Sequence, residues 1–229
     1  MEQWQPGVVD THCHVWQLEL ASRTWLTREF GKLWRTFTPE DLAVESQQVG
    51  LTQCVLIEAG TTEEENLELE RMAGSSALVG AMVPFVDLAS PQLENALDLW
   101  ERNPKLRGVR ARLEGHPDPK VLTRPEIIRG LQHVAERGLV FEFLISSSHL
   151  PDVLKVYDRL PDLRGIIEYM AKPDVVGGTD KAQWCKSMEA LAKDTFVTCK
   201  LSLSPRAEQI SELLAHPGRG WPVESIRRM

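Results

Sequence analysis

Two histidines separated by one residue are the side chains in this sequence best placed to do chemistry together. They are His12 and His14, in the segment 8–14 (VVDTHCH), whose apolar start predicts a β-strand. Because side chains alternate between the two faces of a strand, Asp10, His12 and His14 point the same way, with successive members about 7 Å apart. Two imidazoles on one face can bind a metal ion or a substrate oxygen. They can equally be structural histidines that hydrogen-bond each other, since histidine is only intermediate in its preference for burial.

Ionisable side chains also stand at the ends of most other predicted strands. The carboxyl ends of the strands form the active-site face of a β/α barrel, so such residues would surround a ligand there. A purely structural barrel would not need them, because each charge loses hydration on burial and requires a partner. In chain order after the histidines they are Glu58, Asp87, Arg110, Arg112, Glu142, Glu168 and Lys200. Together they predict a polar, ligand-binding mouth.

The order of the predicted elements indicates the fold. Near-continuous apolar strands alternate with amphipathic helices of about 10 to 15 residues, a pattern typical of a parallel sheet covered by helices. Seven such units in a row favour an α/β fold of the TIM-type (β/α)8 barrel class over an open, doubly wound sheet. No glycine-rich turn follows a strand, which argues against a dinucleotide-binding fold. The sequence shows no repeat or linker, and a single domain is predicted over residues 1–229.

The predicted bounds of the elements follow from apolar periodicity and capping residues. The strands cover residues 8–16, 54–59, 77–87, 106–113, 139–145, 163–170 and 196–202. The helices begin near residues 38, 62, 90, 124, 150 and 181. Thr38 is the predicted N-cap of the first helix, and Gly138 is predicted to end the fourth.

Composition excludes several classes of function. The chain has 229 residues, of which 42% are hydrophobic and 26% charged, as in ordinary globular proteins. No apolar run approaches about 18 residues, so no membrane span is expected, and no secretory signal is visible at the N-terminus. The net charge of −7 comes without a basic patch, which argues against nucleic acid as a partner. The four cysteines form no C-x-x-C pair, and a reducing cytoplasm is the expected location.

Two arginines and a tryptophan-rich loop are candidates for substrate contact. Arg110 and Arg112 share a face of the fourth strand, and their planar guanidinium groups suit a carboxylate or lactone oxygen. Their alternative role is to pair with an acidic residue at a neighbouring strand end, either Glu58 or Glu142. The loop after the first strand carries Trp16, Trp25 and Trp34, which can stack on a sugar or aromatic ring or can pack as core.

Five short motifs together resemble the amidohydrolase superfamily, although each alone is weak. They are the first-strand H-x-H, LRGVR at 106–110, RGLVF at 137–141, KP at 172–173 and CKLS at 199–202. More narrowly, the chain resembles the amidohydrolase-related TIM-barrel hydrolases that include sugar lactonases and 2-pyrone-4,6-dicarboxylate lactonase. The resemblance implies hydrolysis of a lactone of a sugar acid or a related small carboxylic acid.

The resemblance also implies roles for single residues. His12 and His14 match a pair that binds one divalent metal ion, zinc first among the candidates, or that orients the substrate carbonyl in metal-free members. Arg110 matches an arginine that contacts a substrate carboxylate. Lys172 and Lys200 match lysines of the sixth- and seventh-strand motifs. Whether this chain binds metal stays open.

Two departures from the family pattern matter. Family members usually read Asp-His-Leu-Gly-Lys-Pro on the sixth strand, whereas residues 168–173 read EYMAKP, with Tyr169 in place of the histidine. Tyrosine is a poor zinc ligand at neutral pH, because its phenol ionises with a pKa near 10. The family's eighth strand ends in an aspartate that acts as general base, but residues 221–229 are interpreted as the start of the seventh helix. We expect either a sequence incomplete relative to the family or a homo-oligomer formed through an open barrel seam.

Glu168 is predicted to replace the missing base, with Glu142 as the alternative. Catalytic roles are assigned to His12, His14, Glu168 and Lys200. Substrate-binding roles are assigned to Arg110, Arg112, Glu58, Tyr169 and Trp16. Two other functions stay open: a catalytically impaired barrel that binds a small acid or a protein partner, and a metal-dependent decarboxylase of the same superfamily.

Overall fold

The computed structural model describes residues 7–20, 26–47, 50–173 and 181–201. Within these ranges, seven β-strands alternate with six α-helices, which confirms the predicted α/β class. The strands are β1 Val8–Cys13, β2 Leu51–Ile57, β3 Val79–Val83, β4 Gly108–Arg112, β5 Val140–Leu144, β6 Arg164–Ile167 and β7 Thr198–Cys199. The helices are α1 Pro39–Gln47, α2 Glu63–Ser75, α3 Leu93–Trp100, α4 Pro125–Glu136, α5 Leu150–Arg159 and α6 Lys181–Asp194. Trp25 and the segment 221–229 lie outside the described residues.

The strands form parallel sheets in the orders β1-β2-β3 and β4-β5-β6-β7. The chain divides into two compact units, the first formed by residues 1–86 and 95–110 and the second by residues 87–94 and 111–229. That residues 1–229 form a single domain stays a prediction.

The core of the first unit lies between the β2-β3 pair and α2. Because parallel strands are covered on their faces, β2 and β3 are apolar at successive positions, as at Leu56 and Ile57. Helix α2 begins where Thr62 accepts a hydrogen bond from the Glu65 amide, with three glutamates in its first turn facing the positive end of the helix dipole. Leu69, Met72 and Ala73 of α2 are buried.

Strand β1 differs from the buried strand that the sequence predicts. Val8 and Val9 are 53% and 49% exposed, and Cys13 is the first buried residue of the strand. In the described part of the chain, β1 pairs with β2. That the protein forms a homo-oligomer stays a prediction.

The core of the second unit is built on β5. Phe141 and Phe143 are fully buried and pack edge to face, with ring centroids 4.7 Å apart. Apolar residues of α4 and α5 cover this sheet, including Leu131 and Val153. Helix α4 ends before Gly138, which has a φ of 65° as the sequence predicts for its stop.

No helix within the described residues combines the length and the apolar character that a membrane span requires.

Candidate active site

In the first unit, the rings of two histidines face each other. His12 lies in β1, and His14 is the residue that follows β1. His12 Nε2 lies 3.0 Å from His14 Nε2, and the two rings meet edge to face with centroids 4.9 Å apart. His14 Nδ1 lies 3.0 Å from the carbonyl oxygen of Ile57, the last residue of β2. Because a carbonyl only accepts hydrogen bonds, the neutral His14 ring carries its proton on Nδ1. Its Nε2 lone pair therefore points toward His12.

This arrangement fits a divalent metal ion. Histidines that ligate a metal generally donate their other ring N–H to a carbonyl or carboxylate, as His14 does to Ile57. Two nitrogen atoms 3.0 Å apart can each lie at about 2.0–2.1 Å from one zinc ion. His12 and His14 could therefore supply two of the ligands of such an ion.

Glu58, the residue after Ile57 at the end of β2, forms a buried ion pair with Arg110. Arg110 and Glu58 are 2% and 1% exposed. Arg110 Nε donates to Glu58 Oε1 at 2.8 Å, and Arg110 Nη2 donates to the Glu58 carbonyl oxygen at 2.7 Å. Of the two roles that the sequence leaves open for Arg110, the structure shows the pairing with Glu58. A substrate contact by either residue stays a prediction, and so does one by the half-buried Arg112.

In the second unit, Glu142, Glu168 and Lys200 form a buried group that we call the acid–lysine cluster. Lys200 Nζ lies 2.7 Å from both carboxylate oxygens of Glu142 and 3.9 Å from Glu168 Oε1. The Lys200 amide donates to the carbonyl oxygen of Ile167 at 2.9 Å, which fixes the lysine beside the end of β6. Burial raises the pKa of Glu142 to about 8, and a hydrogen bond with Glu168 raises it too, while the positive charge of Lys200 opposes the rise.

The sixth predicted strand extends to Met170, but β6 ends at Ile167. Residues 169–172 have positive φ angles between 49° and 58°, which takes them out of the strand; we call them the left-handed turn. Tyr169, which stands where the family has histidine, is the first residue of this turn. The Lys172 ammonium lies 5.2 Å from the centre of the Tyr169 ring and pairs with Glu114.

Trp16 lies in an apolar cluster of the first unit and not on an open surface. It is buried together with Leu26 and Ala59, and its indole N–H donates to the Arg35 carbonyl oxygen at 2.8 Å. Its ring also contacts Phe37. The structure thus shows the packing alternative for Trp16, and a substrate contact by its ring stays a prediction.

Sequence reasoning missed the contacts that assemble the second unit's site. It does not foresee that Glu142 pairs with Lys200, 58 positions later in the sequence. It gives no role to Trp184, whose indole N–H donates to the Met170 carbonyl oxygen at 2.7 Å. Neither contact has a local sequence pattern, because both join residues of different elements.

Sequence and structure comparisons with known proteins both find amidohydrolases. The amidohydrolase family model matches residues 9–227. L-Fucono-1,5-lactonase from Burkholderia ambifaria is 30% identical over 194 residues, which cover 85% of this chain and 67% of that protein. A crystal structure of an amidohydrolase from Burkholderia multivorans with bound zinc is 25% identical, with a TM-score of 0.80, and the match covers 93% of this chain and 79% of that one.

A second solved structure has lower sequence identity and supports only the similarity in fold. It is assigned as a 2-pyrone-4,6-dicarboxylic acid hydrolase from Pseudomonas putida, is 19% identical and has a TM-score of 0.67, over 92% of this chain and 78% of that one. These likenesses confirm the predicted barrel class and the resemblance drawn from the five motifs. Since the family model matches nearly the whole sequence, the chain belongs to the amidohydrolase family.

Proposed function

We propose that this protein hydrolyses the lactone of a sugar acid or of a related small carboxylic acid. The observation that carries the proposal is the His12–His14 pair, oriented by the Ile57 carbonyl, in a chain that is 30% identical to an L-fucono-1,5-lactonase. L-Fucono-1,5-lactone is therefore the first substrate to test.

The histidine pair is proposed to bind the carbonyl end of the lactone. A divalent ion held by His12 and His14, zinc first, would polarise the carbonyl group. The hydrogen bond from His14 Nδ1 to Ile57 holds that ring in place, so the chain itself provides the orientation. In the metal-free alternative, the Nε2–H of His12 would donate to the carbonyl oxygen as negative charge develops on it, because the His14 proton is donated to Ile57.

Glu168 is proposed to act as the general base. It would take a proton from water while the water oxygen bonds to the carbonyl carbon, and it would return the proton to the ring oxygen when the C–O bond breaks. The product is then the open hydroxy acid. Lys200, 3.9 Å from the Glu168 carboxylate, stabilises its negative charge, while Glu142 holds Lys200 in place.

The test is a panel of sugar and aromatic lactones assayed with purified protein, with and without a chelator, alongside measurement of bound metal. Hydrolysis of at least one sugar lactone is expected. Loss of activity with the chelator, and its return with zinc, would support the metal form; unchanged activity would support the metal-free form. A protein that opens no lactone but releases carbon dioxide from an aromatic acid would contradict the proposal and indicate the decarboxylase.

A second candidate is a barrel that binds a small acid without turnover. The replacement of the family histidine by Tyr169 favours it, because a neutral phenol is a poor metal ligand. Calorimetric binding of L-fuconate by a protein that hydrolyses none of the lactones would select this candidate.

A further inference from the structure

The left-handed turn is the most unusual stretch of backbone in the described residues. Four successive residues other than glycine, Tyr169, Met170, Ala171 and Lys172, have φ angles of 50°, 56°, 58° and 49°. L-residues other than glycine visit this region rarely, and then as single residues. Such backbone persists only where surrounding contacts hold it, and it clusters at functional sites.

Two other elements of the second unit hold the turn. From α6, the buried Trp184 donates its indole N–H to the Met170 carbonyl oxygen at 2.7 Å. From the segment after β4, Glu114 pairs with the Lys172 ammonium. Within the turn, the Lys172 amide donates to the Tyr169 carbonyl oxygen at 2.9 Å. The Met170 carbonyl and the Lys172 side chain are thus fixed from separate parts of the unit.

The turn begins immediately after the proposed general base. Glu168 is fully buried, and it lies between the last residue of β6 and the first left-handed residue. On the strand side, Ile167 is fixed by the hydrogen bond from the Lys200 amide. On the other side, the path of the chain depends on the turn. The backbone from which the Glu168 carboxylate projects is therefore held by β6 on one side and by the left-handed turn on the other.

We propose that Trp184 is a positioning residue for the reaction: its indole N–H holds the left-handed turn and thereby keeps the Glu168 carboxylate beside Lys200. The proposal rests on the proposed function. Glu114 acts in the same way through its ion pair with Lys172.

The variant Trp184→Phe separates this role from simple packing. Phenylalanine keeps an aromatic ring in the core and removes the donor to Met170. A second change should compensate, because glycine adopts positive φ without support, so Met170→Gly is expected to restore a Trp184→Phe protein. The matched control is Trp100→Phe, which changes another buried tryptophan, on α3 in the first unit.

The expected result for Trp184→Phe is a fall in kcat of about 10- to 100-fold with KM changed less than about 3-fold, since a misplaced base affects chemistry more than binding. The acidic limb of the pH profile of kcat, which reports ionisation of the general base, should shift in Trp184→Phe. Adding Met170→Gly to Trp184→Phe should recover most of the lost kcat. The control should keep its kcat and its pH profile. A Trp184→Phe protein with unchanged kcat, or one whose loss Met170→Gly does not recover, would overturn the proposal.

Hydrogen exchange of the Lys172 amide gives a readout independent of turnover. It should be faster in Trp184→Phe than in the wild type and unchanged in the control. If no lactone is hydrolysed by the wild type, the proposed function fails while this exchange still tests the support of the turn; unchanged exchange would overturn the proposal by itself. Should Trp184→Phe fail to fold, Glu114→Gln carries the test, with a fall in kcat of about 3- to 10-fold expected and an unchanged kcat contradicting it.

Discussion

At the scale of single residues, the Arg110–Glu58 pair shows how the first unit ties its strand ends together. Both side chains are buried, and the guanidinium binds both the carboxylate and the backbone carbonyl of Glu58. Removing one partner of a buried pair leaves the other charge uncompensated. The pair therefore matters for stability whether or not Arg110 also contacts substrate.

The first prediction is that Glu58→Ala lowers the free energy of unfolding by about 3–5 kcal/mol, because the buried Arg110 would lose the Glu58 carboxylate. Denaturant unfolding measures the change. Arg71→Gln removes the exposed Glu68–Arg71 pair on α2 and serves as the control, with an expected loss below about 1 kcal/mol. A Glu58→Ala protein as stable as this control would show that the buried pair contributes little.

The second prediction concerns the pH dependence of stability. Burial raises the pKa of Glu142 from its ordinary 4.5 to about 8, with Glu168 adding to the rise and Lys200 opposing it. The folded state then binds a proton that the unfolded state has lost, so this stabilising contribution is complete below about 4.5 and is lost as pH rises through about 8.

Glu142→Gln stays neutral at every pH, so the fall in the free energy of unfolding between pH 5 and pH 9 should be smaller in this variant than in the wild type. Denaturation at several pH values measures the difference in slope. Glu126→Gln, which changes a carboxylate in the first turn of α4, is the control and should keep the wild-type slope. Equal slopes in the wild type and Glu142→Gln would contradict the raised pKa.

At the scale of elements, local sequence patterns predict where several helices begin and end. The cap at Thr38, the stop at Gly138 and the predicted helix starts near residues 62 and 181 agree with the structure, because capping and amphipathic periodicity are local properties. The end of β6 could not be predicted in this way. The apolar Met170 continues the strand pattern, and residues 169–172 contain no glycine that would predict positive φ angles. The contacts that hold the turn come from Trp184 and Glu114, which lie in other parts of the sequence.

The same limit applies to the candidate site. That His12 and His14 share a face follows from the period of two in a strand, and the structure places their rings together. The partners of Glu142 and of Arg110 depend on which strand ends meet, and the residue types alone allowed several pairings. The packing of Trp16 likewise depends on the path of the loop that follows β1.

The third prediction belongs to the turn as an element. Met170→Val should destabilise the protein by about 1–2 kcal/mol more than Met170→Asn, because a β-branched side chain is strongly disfavoured at positive φ while asparagine tolerates it. Both variants lose the thioether, and burial at this partly buried position would favour the apolar valine, so a less stable Met170→Val reports the backbone effect. Thermal and denaturant unfolding measure it, and equal stabilities would argue against a left-handed Met170.

At the scale of the whole molecule, the chain belongs to the amidohydrolase family and carries buried ionisable groups beside the ends of its strands. The amidohydrolase model spans residues 9–227, and each unit contributes one buried ion pair or cluster beside the end of a strand. Charges buried in this way require partners, and the chain supplies them from its own residues. The proposal of lactone hydrolysis rests first on the histidine pair, while the roles of Glu142, Glu168 and Lys200 in that reaction stay a prediction.

The most direct test of that claim is kcat/KM for L-fucono-1,5-lactone in the wild type, in the double variant His12→Ala, His14→Ala and in the control His133→Ala. His133 lies on α4 and faces the acidic side chains of Glu94 and Glu136. The wild type and the control should hydrolyse the lactone equally well, and the double variant should be at least about 1,000-fold slower. A double variant with wild-type kcat/KM would contradict the account.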